Sequence, residues 1–254
     1  MVISIDPLWA NCVLMLWVRL SALLLLSPIF SGIGGTFAVR ALFTLALAMM
    51  LAPRPDGAYA EVPHTMGVLL HSVMSEVVTG AILAFGVFAA FGSFSVAGKI
   101  LDVQSGFGIG SVFDPVIRAG APLFSTMLNL LAVAVFFGMD GHHALLRGIA
   151  FSVQQVPPGT GLPDILPEVV IRQFGMMFSL GVVLIAPVMF CLFLVEVAMA
   201  FVSRVLPQMN MFVVGVPVKI VACLLMFSVT VGSMAQVMSR IYAAIFVYWE
   251  KVLR

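Results

Sequence analysis

The sequence predicts an all-α, membrane-integral protein of helical hairpins broken at proline and glycine, forming one domain over residues 1–254. Three observations predict it. Hydrophobic residues make up 62% of the chain and charged residues only 9%, against about 45–50% and about 25% in an ordinary soluble domain. Uncharged runs recur that could supply about six helices, each crossing of a hydrocarbon core needing about 20 residues. Proline and glycine gather between those runs. Twelve basic against eleven acidic residues leave a formal net charge of +1. Such a surface cannot neutralise a phosphate backbone, so nucleic acid is not expected as a partner.

Leu8 to Phe30, apolar apart from Asn11 and Arg19, predicts the first helix, and Ser31-Gly32-Ile33-Gly34-Gly35 ends it, because consecutive glycines weaken a helix and permit a turn. Asp6 precedes Trp9 and the first basic residue is Arg19, the reverse of a cleavable signal's basic start, which predicts a retained N-terminus. Phe37 to Leu51 is a shorter second helix carrying Arg40. Pro53-Arg54-Pro55-Asp56-Gly57 stops it by removing donors and restricting the residues ahead of each proline. Met66 to Gly98 reads as one long helix, uncharged over its last 22 residues, with glycine at 80, 86, 92 and 98 and with Ala89, Ser93 and Ala97 on one face. Small residues at such spacing let helix backbones approach where lipid supplies no hydrophobic drive for pairing. From Lys99 to Pro115 the pattern turns irregular, alternating glycine with bulky apolar residues through Gly106-Phe107-Gly108-Ile109-Gly110 before Phe113-Asp114-Pro115. Irregular backbone at membrane depth is expected only inside protein or along a cavity.

Val116 to Met139 is the next helix, with Pro122 near its start, and Asp140-Gly141-His142-His143 turns the chain into a short helix over Ala144 to Val153. Pro157-Pro158-Gly159-Thr160-Gly161 to Pro167 is a loop. Glu168 and Arg172 are spaced to pair at the head of a helix that is uncharged from Gln173 to Val195 and continues past Glu196 and Arg204 to a break at Pro207-Gln208-Met209-Asn210. A last helix is expected over Ile220 to Ser239, followed by a Tyr- and Trp-bearing end with Arg240, Glu250, Lys251 and Arg254, a composition suited to a membrane interface. Topology conflicts with six simple spans: acidic Asp6 favours an outside N-terminus and the basic tail an inside C-terminus, whereas an even number of crossings puts both ends on one side. Segments 8–30 and 37–51 are candidates for hairpins that do not cross fully.

No constellation supports catalysis. There is no GxSxG elbow; the glycines from 106 to 110 lack the GK[ST] and preceding strand of a phosphate loop; Asp140, His142 and His143 lack the further ligands of a metal shell, and adjacent histidines point different ways. No catalytic residue, metal or cofactor is expected. Cys12, Cys191 and Cys223 lie far apart in apolar runs and read as buried hydrophobes. More informative are the charges inside apolar segments, Arg19, Arg40, Glu76, Glu196 and Arg204, each costly in hydrocarbon and therefore expected to face a partner or water. Arg204 is expected to pair with Glu196 or to cap carbonyls near Pro207. The seventeen methionines read mostly as apolar filler, save beside breaks such as Pro207.

Taken in order, several segments resemble the FliR/SctT export-gate family of type III secretion: Arg19 with Ser27-Pro28-Ile29-Phe30, Val39-Arg40, Gln104-Ser105-Gly106-Phe107, Phe113-Asp114-Pro115, Asp140-Gly141-His142, Val156-Pro157-Pro158-Gly159, and the block from Ser203-Arg204-Val205-Leu206-Pro207-Gln208-Met209-Asn210 through Gly215-Val216-Pro217-Val218-Lys219. The Asp-Gly-His turn and the Pro-Gly loop resemble the flagellar branch more than the virulence injectisome. The resemblance implies a non-enzymatic gate subunit in the bacterial inner membrane, at the flagellar basal body. It implies helical assembly with FliP-like and FliQ-like subunits, an FlhB-like switch protein as neighbour, and unfolded export substrates as cargo. Gly106, Phe107, Ile109 and Phe113 would be plug residues. A virulence-injectisome export-gate subunit is the first alternative and a small-solute secondary transporter the second; the transporter predicts an internal repeat, and the two halves show none.

Overall fold

A computed structural model describes residues 7–28, 36–52, 65–107, 122–163, 166–208 and 211–253, the side chains of 211 and 212 excepted. The described residues contain helices and no strand. In chain order they are α1 (Pro7–Leu26), α2 (Phe37–Leu51), α3 (Met66–Ser105), α4 (Leu123–Gly138), α5 (Gly141–Gln155), α6 (Pro167–Val205), α7 (Met211–Thr230) and α8 (Ala235–Val252). Helices α1, α3, α6 and α7 are long and apolar enough to cross a membrane, α4 and α5 together could form one broken span, and α2 is shorter. The chain is an all-α membrane protein.

The first two helices follow the apolar runs closely, α1 stopping just before Ser27-Pro28, where proline restricts the residue ahead of it. Three departures from the sequence pattern stand out. Helix α3 does not turn irregular at Lys99 but continues to Ser105, 40 residues in all, because Asp102 is used by the following helix, as described below. The single helix expected over 220–239 is instead two. Helix α7 ends at Thr230, whose carbonyl accepts the backbone N–H groups of Ser233 (2.9 Å) and Met234 (3.1 Å) and the Ser233 hydroxyl (2.7 Å). Gly232 within this turn costs helix stability. Asp140, in the left-handed region at φ 55°, sets the start of α5 at Gly141, three residues ahead of the expected one.

The chain divides into two compact units: residues 1–89, 140–173 and 244–254 form one, and 90–139 and 174–243 the other. In the first, Trp249 is buried and its indole N–H donates to the Leu83 carbonyl at 2.9 Å. Gly86 and Gly148 make room for that ring: a Cβ at Gly148 would lie 2.5 Å from the Trp249 ring. Leu16, Leu20, Leu23 and Val87 fill the rest of this core. In the second, Tyr242 lies among Phe91, Phe94 and Phe136 at centroid distances of 5.9, 5.7 and 5.4 Å, and its hydroxyl donates to the Ala132 carbonyl at 2.6 Å. Burial pushes that phenol's pKa up, which keeps it a donor.

Candidate functional site

Two of the charges that stand out in the sequence meet inside the first unit. Arg19 of α1 and Glu76 of α3 form a two-pronged pair, Nε to Oε2 at 2.6 Å and Nη2 to Oε1 at 3.0 Å, with each side chain 1% exposed. The guanidinium also donates through Nη1 to the carbonyls of Val156 (2.9 Å) and Ser152 (3.3 Å), at the end of α5. Glu76 Oε1 accepts the backbone N–H of Gly159 at 2.8 Å. Gly159 has φ 85°, where a side chain is strained, so the glycine of Val156-Pro157-Pro158-Gly159 is what turns that N–H onto the carboxylate. One turn beyond Glu76, Gly80 lies against the Arg19 carbonyl with no room for a Cβ. A buried ion pair is tolerable only when its remaining polar valences are filled. Here they are filled by backbone, and the result clasps α1, α3, α5 and the loop after α5.

A second polar group fixes the root of the expected plug loop. Asp102 is 4% exposed; its carboxylate accepts the N–H groups of Phe124 (2.8 Å) and Ser125 (3.0 Å) and the Ser125 hydroxyl (2.6 Å). It therefore caps α4, whose own N-cap residue, Pro122, has no side-chain donor or acceptor. Gly98, one turn earlier, packs on the Ser125 backbone with no space for a Cβ. After Ser105 the chain turns through Gly106 at φ 92°, and Phe107 meets Phe124 edge-on at 5.7 Å, which in turn meets Phe227 at 5.7 Å. Of the four plug residues implied by the resemblance, Gly106 and Phe107 are thus placed at a fixed root. Ile109 and Phe113 lie outside the described residues.

The other charges are dispersed. Arg40 is half-buried on α2. Glu196 on α6 accepts a 2.6 Å ion pair from Lys219 on α7, which corrects the expected pairing with Arg204. Lys219, two residues after Pro217, reaches Glu196 from the neighbouring helix, and Arg204 is exposed near the end of α6 with no ion pair among the described residues. Glu168 and Arg172 are both exposed and form no ion pair with each other. Asp140, His142 and His143 do come together, their ligand atoms within 4.8 Å of one another. His143 Nδ1 stands 3.5 Å from Asp140 Oδ1 and the two imidazole rings lie 4.1 Å apart between centroids, so the adjacent histidines do not point different ways, contrary to expectation; the cluster sits at the N-terminus of α5, an end that disfavours a cation.

Sequence reasoning missed Asp102 as a cap, Lys219 as the partner of Glu196, and Gly159 as a ligand of Glu76. The first has no local signal, since the helix it caps begins 21 residues later. The other two lie within the quoted family-like segments, which is the signal that could have found them.

The fold and these sites define a polytopic helical membrane protein whose buried polar groups fix helices and one loop root. The family model described as bacterial export proteins, family 1, matches residues 10–245. The chain belongs to that family. It is similar to the flagellar biosynthetic protein FliR of Bacillus subtilis, 28% identical over 237 residues that cover 91% of this chain and 90% of the relative. FliR of Escherichia coli is 24% identical over 94% of this chain and 91% of its own length. The Yop proteins translocation protein T of Yersinia pestis is 26% identical over 88% and 90%.

Proposed function

We propose that this chain is the FliR-type subunit of a flagellar type III protein-export gate, a non-enzymatic part of the channel in the bacterial inner membrane at the flagellar basal body. The observation that carries this is the near full-length match to flagellar FliR proteins in two distant organisms. In this reading FliP-like and FliQ-like subunits cover the apolar faces of α6, where Phe190, Phe193 and Phe201 are more than half exposed, and of α7, where Leu225 and Val229 are. An FlhB-like protein lies beside them, and unfolded export substrates pass through. The loop that leaves the membrane helices at Gly106-Phe107 is the plug, with Ile109 and Phe113 adding apolar bulk, and it closes the channel by excluding water from a narrow constriction. Phe107 on Phe124 anchors the root of the loop, Asp102 keeps that root attached to α4, and the glycines beyond it let the loop swing aside.

The test is deletion of residues 106–110 in cells making the whole apparatus. The packing information lies in the helices, so the complex assembles, and the membrane becomes permeable to ions and small solutes. An assembled complex as tight as wild type overturns the plug assignment. The flagellar assignment is tested separately by removing the gene: loss of filament export and motility supports it, while intact motility with lost secretion of virulence effectors gives the chain to an injectisome.

A further inference from the structure

We propose that Asp140, His142 and His143 bind a divalent transition-metal ion of the zinc type at the first turn of α5. The site stands apart from the export-gate reading, since it rests on local geometry within the first unit. The Asp140 carbonyl accepts the backbone N–H groups of His143 (3.0 Å) and Ala144 (3.2 Å), which closes the turn and brings side chains 140 and 143 onto one face. Asp140 stands at the N-cap, where a carboxylate ordinarily accepts an N–H of the first turn. Here it makes no such bond. Its Oδ1 faces His143 Nδ1 at 3.5 Å instead, longer than a hydrogen bond of about 2.7–3.2 Å. Two ligands held at about 2.0–2.1 Å on a tetrahedral ion stand about 3.4 Å apart, so the gap has the width of a shared cation. The His142 ring lies beside that of His143, tilted by 37°, and one ligand atom from each of the three residues falls within 4.8 Å of the others.

Two imidazole nitrogens and a carboxylate oxygen favour zinc, nickel, cobalt and copper over calcium and magnesium, which take oxygen ligands. Three protein ligands leave a fourth position to water, as in open zinc sites with two histidines and a carboxylate. A ligating histidine binds through one ring nitrogen while the other keeps a second partner, so the further interaction that His142 makes is compatible with ligation. Asp140 and His143 are exposed, and their side chains close on an ion without displacing packed neighbours. The competing reading is a plain polar turn at a helix end that repels cations. At an exposed site that repulsion costs about two- to fivefold in affinity, and the Asp140 carboxylate, at the same end, carries the charge that offsets it.

The experiment uses the full chain with its co-extracted subunits in detergent, purified through a tag without histidine and stripped of metal by a chelator. Zinc is titrated in competition with a chromophoric chelator, and the metal retained is counted by elemental mass spectrometry. The expected result is one zinc per copy of this chain with a Kd on the order of 1 µM, weaker than a closed four-ligand structural zinc. His142→Gln and His143→Gln each weaken it by at least about tenfold, since loss of even an outer-shell partner costs about 10–100-fold. Asp140→Asn does the same while keeping a residue that tolerates the left-handed backbone at φ 55°, so it carries the test should the histidine variants fail to assemble. His71→Gln on α3, outside the cluster, leaves binding unchanged. With cobalt in place of zinc, the visible spectrum of the bound ion changes in each cluster variant and not in His71→Gln. A Kd weaker than about 1 mM, or zinc binding that Asp140→Asn and His143→Gln leave intact, overturns the proposal.

Discussion

Removing the carboxylate of Glu76 strands the Arg19 guanidinium where only 1% of either side chain reaches solvent. An uncompensated buried charge of this kind costs about 3–5 kcal/mol, so Glu76→Ala lowers the melting temperature of the purified complex and its steady-state amount. The paired change Arg19→Met with Glu76→Met removes the stranded charge but leaves the Val156 carbonyl and the Gly159 N–H without their partners, so it recovers only part of that loss. A double variant as unstable as the single one would show that the backbone contacts, not the charge balance, carry the stability of the clasp. Gly159 makes a sharper case. Alanine at φ 85° costs about 1–2 kcal/mol. By contrast Gly175→Ala on α6, where a Cβ meets nothing within 4 Å, is neutral or stabilises by up to about 1 kcal/mol. Thermal unfolding of the two variants side by side reads the difference.

At the scale of elements, α3 and α4 are joined by a close approach and a cap. Gly98→Ala gains about 1 kcal/mol of helix propensity but forces the Ser125 backbone away, and overpacking of this kind costs about 1–3 kcal/mol. The net effect expected is a lower melting temperature, and a rise would show that α4 can shift freely. The existence and order of the helices were legible because uncharged runs and Pro/Gly breaks are properties of the chain itself. Their ends were less so. Helix α3 runs through a stretch that looks irregular, held by a carboxylate whose partners come from Phe124 and Ser125. The end of α7 at Thr230 lies in an uncharged stretch, where Gly232 beside Thr230 and Ser233 is the local hint of a turn. In the same way Arg19 and Glu76 were legible as costly charges, yet 57 residues separate them, and a single sequence does not say which two such charges meet.

For the whole molecule, the exposed apolar surface sets the company it keeps. Leu225, Val229 and Phe201 are each more than 60% exposed, on helices that polar residues hardly interrupt, and contiguous apolar patches mark contacts with lipid or protein. Produced without its co-expressed subunits, the chain is expected to be degraded or to aggregate in mild detergent, as size-exclusion chromatography reads directly; a stable, monodisperse monomer would count against this. The clasp also imposes an order on biosynthesis. Arg19 enters the bilayer early, but the Val156 carbonyl that completes its shell is 137 residues further on, a delay of roughly ten seconds or more at ribosomal speed. Throughout that interval the nascent first helix carries a cation without its full set of acceptors, so the insertion machinery must shelter it, and chains released before Gly159 emerges leave the quality-control proteases an unfinished membrane segment to find.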